Sequence, residues 1–240
     1  MKLLSLVRWY FELQKNLEKT TQELLWAKVW EDTKRGITWL DDLSSISPGR
    51  WAVGYNYIYV MTRVLEEIKP NSVLDLGLGI SSTLISCYFN HRDNGIHTII
   101  EQDREWSQFY TNNHMLSKFS KIYNLDCIKK EYKGSIINTY CGFDELLRNM
   151  GKKYTVISID APWGSDRYSR RDIVPLIPNI LEDEFVIVID DTNRIGEKDT
   201  VEEIQDTLTR QNIGFAIGNY SGECDCTVIC SQKYSFLCSL

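Results

Sequence analysis

Apolar residues in this chain recur at two spacings, and the spacings divide it. Over residues 3–31 they return every third or fourth position (Leu3, Leu6, Val7, Tyr10, Leu13, Leu17, Leu24, Trp26), with Lys, Glu and Gln between them. That period predicts a helix. It returns over residues 54–69 through Tyr57, Val60, Met61, Val64, Leu65 and Ile68, and Pro70-Asn71 ends it. Beyond Pro70, short unbroken apolar runs predict buried strands at residues 72–76, 97–101, 154–160 and 185–190, with a weaker one at 121–125. Helical stretches fall between them at 83–89, 104–119 and 201–210. Residues 213–217 and 226–230 predict two last strands, antiparallel because no helix separates them. Strands alternating with helices predict an α/β fold. Residues 36–50, with Ser47-Pro48-Gly49, read as a loop, and 128–143 fits neither period.

The first strand runs into Gly77-Leu78-Gly79, and Ser81-Ser82 opens the helix after it. Strand, glycine turn and helix together bring backbone N–H groups up to a nucleoside or phosphate, and glycine leaves room for close approach. Glu101 ends the next strand about 20 residues beyond Gly79, where a carboxylate would grip a ribose diol.

Asp75-Leu76-Gly77-Leu78-Gly79 resembles motif I of the class I S-adenosylmethionine (SAM)-dependent methyltransferases, Asp/Glu-x-Gly-x-Gly-x-Gly, with Ser81 where a third glycine is usual. The resemblance covers about residues 51–240 and leaves 1–50 as an N-terminal helical extension and loop. It implies a Rossmann-like α/β fold: a seven-stranded, mostly parallel sheet with an antiparallel last strand, flanked by helices. It also implies SAM as cofactor, held by Asp75, Gly77, Gly79, Ser81, Ser82 and Glu101, with Asp126 or Phe143 beside the adenine. Trp51 and Tyr55 become candidate lid residues.

Asp160, Asp190 and Asp191 also lie at strand ends, and gathering carboxylates is costly unless cations or donors meet them. Their placing is similar to that in cation-dependent O-methyltransferases, which implies Mg²⁺ held by these three acids. The competing reading makes Asp191-Thr192-Asn193 a capped turn, with Asp160 bonding cofactor or acceptor directly. As catalytic groups, Asp160 or the Asp190-Asp191 pair would either take the acceptor's hydroxyl proton or hold a Mg²⁺ that lowers its pKa. Arg167, Arg170 and Arg171 follow Trp163 and predict an anion clamp, with Trp163 and Tyr168 stacking on a sugar. The plainer account pairs those arginines with Asp166, Asp172, Glu182 or Asp183.

Composition narrows the rest. A net charge of −6 argues against a nucleic-acid partner. No apolar run nears the ~20 residues of a membrane span, and the start MKLLSLVRWYFELQ is a poor signal peptide, so a cytoplasmic protein is expected. Seven cysteines in no disulfide spacing suit reduced thiols. The aromatic N-terminal helix reads as core or as a homodimer contact. The expected activity is O-methylation of a sugar or other small-molecule hydroxyl, with an anionic surface-polysaccharide precursor as one acceptor the resemblance implies. The rivals are an NAD(P)-dependent oxidoreductase and a non-catalytic module with the same fold.

Overall fold

The computed structural model describes residues 2–41, 43 and 53–239, with side chains from Ser5 onward. Ser47-Pro48-Gly49 and the candidate lid residue Trp51 lie outside the described residues.

Helix α1 (Lys2–Thr33) leads to α2 (Tyr55–Arg63), which runs on through a π-helical turn at Val64–Ile68. There follow β1 (Ser72–Leu76), α3 (Ile80–Arg92), β2 (Ile96–Glu101), α4 (Arg104–Asn113) and β3 (Ser120–Asn124). A hairpin, β4 (Cys127–Tyr132) and β5 (Ser135–Tyr140), precedes α5 (Phe143–Met150), β6 (Tyr154–Ile159) and β7 (Leu181–Ile189). Helix α6 (Ile195–Arg210), β8 (Phe215–Tyr220) and β9 (Cys226–Ser231) complete the order. Seven strands form one sheet in the order β3-β2-β1-β6-β7-β9-β8. All run parallel except β9, which is antiparallel to both β7 and β8.

The central strands are apolar almost throughout because helices cover both faces. Val73, Val156, Val186 and Val188 face a layer built with α1, α2 and α3. Leu74, Leu76, Ile157, Ile159, Ile187 and Ile189 face the other, with Phe143 and Leu147 of α5 and Ile204 and Leu208 of α6. Alternation along β1 therefore turns Asp75 the same way as Val73, toward α2 and α3.

Two segments depart from the expected elements. Helix α4 stops at Asn113, six residues short, because His114 takes an extended backbone after two asparagines of low helix propensity. Residues 128–143, unassigned by period, form the hairpin. Its loop, Lys133-Gly134, has positive φ at both positions (47° and 77°), the two-residue turn that matches strand twist. The middle of β4, Ile128–Glu131, is exposed, so no buried face marks it in the sequence.

Trp26 and Trp30 dock α1 on the body. Trp26 packs on Tyr59 and Tyr220 and donates its indole N–H to the Ser221 carbonyl at 2.7 Å, and Trp30 donates to Thr62. Tyr55 is half-buried against Trp30, a packing position and not a lid. Every residue from Ser5 to Glu18 is exposed, including Trp9, Tyr10, Phe11, Leu13 and Leu17.

Candidate active site

The glycine bend stands at the carboxyl end of β1. Gly77 has φ +110°, donates its N–H to the Ile100 carbonyl at 2.9 Å, and a Cβ there would lie 3.1 Å from Ala161 Cβ. Gly79 is extended, and a Cβ built on it meets nothing within 4 Å. The bend thus presents an open face at Gly79 alone.

Behind it the polar groups are tied together. Ser82 Oγ accepts the Gly79 N–H at 3.1 Å and donates to Asp75 Oδ2 at 2.5 Å. Asp75 Oδ1 accepts Ser158 Oγ at 2.7 Å, and Ser158 in turn bonds the Tyr57 hydroxyl at 2.8 Å. Asp75 and Ser82 have no exposed surface and Ser81 very little. This corrects the expectation that Asp75 and Ser82 touch a ligand: they shape the bend from beneath. The signal for Ser158 was available, as a polar residue inside the apolar run of β6.

Glu101 faces the bend. One carboxylate oxygen accepts the Leu78 N–H at 2.9 Å and the other the Asp103 N–H at 2.8 Å. Burial pushes its pKa up, and the backbone donors act against that. The Trp106 indole and Tyr110 hydroxyl fix the outer side of the bend by donating to the Leu78 and Gly79 carbonyls. Leu125 N–H bonds the Glu101 carbonyl, and Cys141 N–H bonds that of Asp126. Asp126 is therefore the exposed acid next to Glu101, 3.6 Å from Arg104. Phe143 is instead a correction: it is buried on α5 and stacked on Tyr140, with no face left for an adenine.

The second part of the site joins β6 to β7. Asp160 N–H bonds the Leu76 carbonyl and Asp190 N–H that of Ile159, which brings Asp160, Asp190 and Asp191 together. Oxygens of the three lie within 4.8 Å of one another. Arg170, 5% exposed, enters this cluster: Nη1 is 3.1 Å from Asp160 Oδ1 and Nη2 3.0 Å from Asp191 Oδ2. Arg194 adds a 2.8 Å contact to the same Asp191 oxygen. Tyr168, Arg170 and Asp191 all have left-handed backbones (φ 49°, 58° and 62°), strain of the kind that collects at functional sites.

These neighbours move the acids apart. Burial raises Asp160, Arg170 opposes it, Asp191 and Asp75 add to it, and the result is about 6. Burial and the two neighbouring carboxylates push Asp190 well above the ordinary carboxylate range. For Arg170 burial acts to lower the pKa, but the surrounding acids outweigh it and leave the guanidinium charged.

The anion clamp is a third correction. Arg167 is held by both oxygens of Asp199 at 2.6 and 2.9 Å, and Arg171 by Glu203 at 2.9 Å over the Tyr132 ring. With Arg170 in the acid cluster, all three guanidiniums are engaged by acids of this chain. None of those partners is among the four near in sequence. Tyr168 is half-buried, edge-on to Tyr132. Trp163 is 61% exposed, on a loop gripped from the hairpin: Asn138 Nδ2 donates to the Trp163 and Gly164 carbonyls at 3.1 and 3.0 Å.

The sheet order distinguishes this fold from the dinucleotide-binding one, whose classic order is 3-2-1-4-5-6, because here the antiparallel β9 lies between β7 and β8. Solved structures share the arrangement. An O-methyltransferase from Bacillus cereus in complex with SAH matches over 88% of this chain and 91% of its own, with 10% identity and a TM-score of 0.50. The O-methyltransferase TomG from Streptomyces achromogenes, involved in tomaymycin synthesis and solved with SAM, matches over 73% and 78%, with 11% identity and a TM-score of 0.50. The fold is that of the class I methyltransferases. No protein-family model and no curated protein matches the chain.

Within a methyltransferase fold the open face of Gly79, beside the Glu101 carboxylate, fits a nucleoside cofactor. The acid cluster suits a divalent cation in donor type and spacing. Arg170 nevertheless takes one oxygen from each of two of the three acids and sets a fixed positive charge among them, so the residues do not fit a metal while it stays.

The two glycines make opposite predictions. Gly77→Ala should lose about 1–3 kcal/mol in urea unfolding, from its positive φ and the Ala161 contact. Gly79→Ala, extended and unobstructed, should stay within about 1 kcal/mol of wild type.

Proposed function

We propose that this chain is a SAM-dependent methyltransferase acting on a hydroxyl of a sugar or other small molecule. The observation that carries the reading is one bend with two features: an open face at Gly79 and a backbone bond from Leu78 to Glu101. Gly79 lines the cofactor side, Gly77 shapes the turn behind it, and Glu101 accepts the ribose hydroxyls. Asp126 stands toward the adenine. When bound, SAM supplies a methyl group on a sulfonium that a nucleophilic oxygen can attack.

The chain's own residues do the rest. Asp160, reached from solvent through 28% of its side chain and raised to about 6, is the group suited to take the hydroxyl proton near neutrality. As the acceptor oxygen takes up the methyl group, its proton would pass to Asp160. Asp190 and Asp191 hold their places behind it. Rate comes chiefly from holding the acceptor in line at near-attack distance, and exposed Trp163 offers a flat apolar face on which a sugar ring could rest. With its arginines engaged, the loop gives no support to an anionic acceptor. A neutral sugar hydroxyl is therefore preferred to a charged polysaccharide precursor.

The sheet order weighs against the nicotinamide oxidoreductase, and a carboxyl that reaches solvent from among buried acids, Asp160, weighs against a purely structural module. Among the described residues no helix is long and apolar enough to cross a membrane; a cytoplasmic enzyme is the reading kept. The exposed apolar stripe of α1 supports a homodimer.

Three measurements follow. Calorimetry should show SAH binding and none for NAD, and Glu101→Gln should weaken SAH by roughly ten- to a hundredfold. Because the carboxylate form accepts the ribose hydroxyls, affinity should fall as pH drops through the raised Glu101 pKa; binding unchanged in the variant would refute the ribose contact. Asp160→Asn should slow methyl transfer by about 10²–10⁴-fold with SAH affinity kept, and the wild-type kcat/KM should decline below about pH 6. Sedimentation should give a dimer that Leu13→Glu with Leu17→Glu converts to monomer; a wild-type monomer contradicts the α1 contact.

A further inference from the structure

The acid cluster poses an electrostatic problem that methyl transfer by itself does not explain. Three carboxylates within 4.8 Å would ordinarily call for a divalent cation, and such ions take about six oxygen ligands. Here one oxygen of Asp160 and one of Asp191 are already committed to a cation of the chain's own. Arg170 bridges Asp160 and Asp191, its Nη1 also reaches the Asp190 carbonyl and its Nε the Pro162 carbonyl, both at 3.4 Å. Glu197 Oε1 lies 3.8 Å from the same Nε. Asp190 Oδ1, buried without a hydrogen-bond partner, is left with the Arg170 guanidinium as the positive charge beside it.

The arginine is also bolted in place. Its neighbour Ser169 donates its backbone N–H to the Gly196 carbonyl at 2.9 Å and its hydroxyl to Glu197 at 2.8 Å, and its carbonyl accepts the Thr200 hydroxyl. A Cβ on Gly196 would strike the Ser165 carbonyl at 2.3 Å, so α6 begins in direct contact with this loop. Withdrawing Arg170 would break the fit of loop to helix and strand a buried charge. A dication entering beside it would meet a fixed positive charge at contact distance.

We propose that Arg170 is the resident cation of this cluster, a positioning residue that occupies the electrostatic place of a divalent metal. It aims Asp160 and excludes the metal, so that proton removal from the acceptor proceeds without one. The link to catalysis rests on the methyltransferase reading; the exclusion of metal does not.

The test titrates Mn²⁺ into the full-length protein and follows free ion by electron paramagnetic resonance, with and without SAH. Wild type should bind no Mn²⁺ up to about 1 mM. Arg170→Met, which leaves the acids and removes the charge, should gain Mn²⁺ affinity by at least roughly tenfold, and Arg170→Lys should not. Circular dichroism checks that the variants are folded. Wild-type Mn²⁺ binding that Asp191→Asn abolishes would overturn the proposal, as would a folded Arg170→Met with no gain. Should Arg170→Met fail to fold, the wild-type and Asp191→Asn titrations decide alone. Absence of SAH binding would remove the methyltransferase reading and leave the Mn²⁺ result standing, so the two can fail separately.

Discussion

Each strand that reaches the site ends in a carboxylate, and the constraint on everything around it is that these charges sit where water is scarce. Taking a carboxylate out of water is costly unless donors or cations meet it. The protein meets the cost in three ways. Asp75 is surrounded by hydroxyls from Ser82 and Ser158. Glu101 accepts two backbone N–H groups. Asp160 and Asp191 share a guanidinium. The three solutions give the carboxylates different work.

Asp75 has no surface left, so its effect is mechanical. Through Ser82 it holds the Gly79 N–H and, through Ser158 and Tyr57, it links β1 to β6 and to α2. Glu101 is nearly as buried, but its partners are backbone N–H groups, and these bonds fix its distance from the bend. Asp160 alone of the cluster keeps a path to solvent, and only a group with such a path can release a proton after each turnover. Partners and access, more than residue type, thus separate the roles: hydroxyls saturate Asp75, backbone N–H groups aim Glu101 at the bend, and Asp160 reaches solvent.

Much of this could be read from the residues. Apolar runs located the central strands because those strands are covered on both faces, and Gly77-Leu78-Gly79 with Glu101 located the bend because spacing along a strand–turn–helix unit translates directly into proximity. The hairpin escaped because β4 exposes most of its side chains and carries no period. Phe143 was misjudged because it follows a glycine in what looked like a loop, whereas it opens the amphipathic α5. The arginines were misjudged for a more general reason. Asp199 and Glu203, the partners of Arg167 and Arg171, lie on α6 beyond β7, and Arg170 meets the acids at the ends of β6 and β7; only the fold brings these together. Charge beside a predicted mouth says nothing about which charges the chain will place opposite it.

The central claim is that the bend at residues 77–79 and the carboxylate of Glu101 form one nucleoside cradle. A crystal structure of the protein grown with SAH tests it most directly. The account predicts both ribose hydroxyls within hydrogen-bond distance of Glu101 and the nucleoside lying across Gly79, with Asp75 still covered. SAH seated elsewhere, or a side chain filling the space over Gly79 with the crystals free of it, would contradict the account.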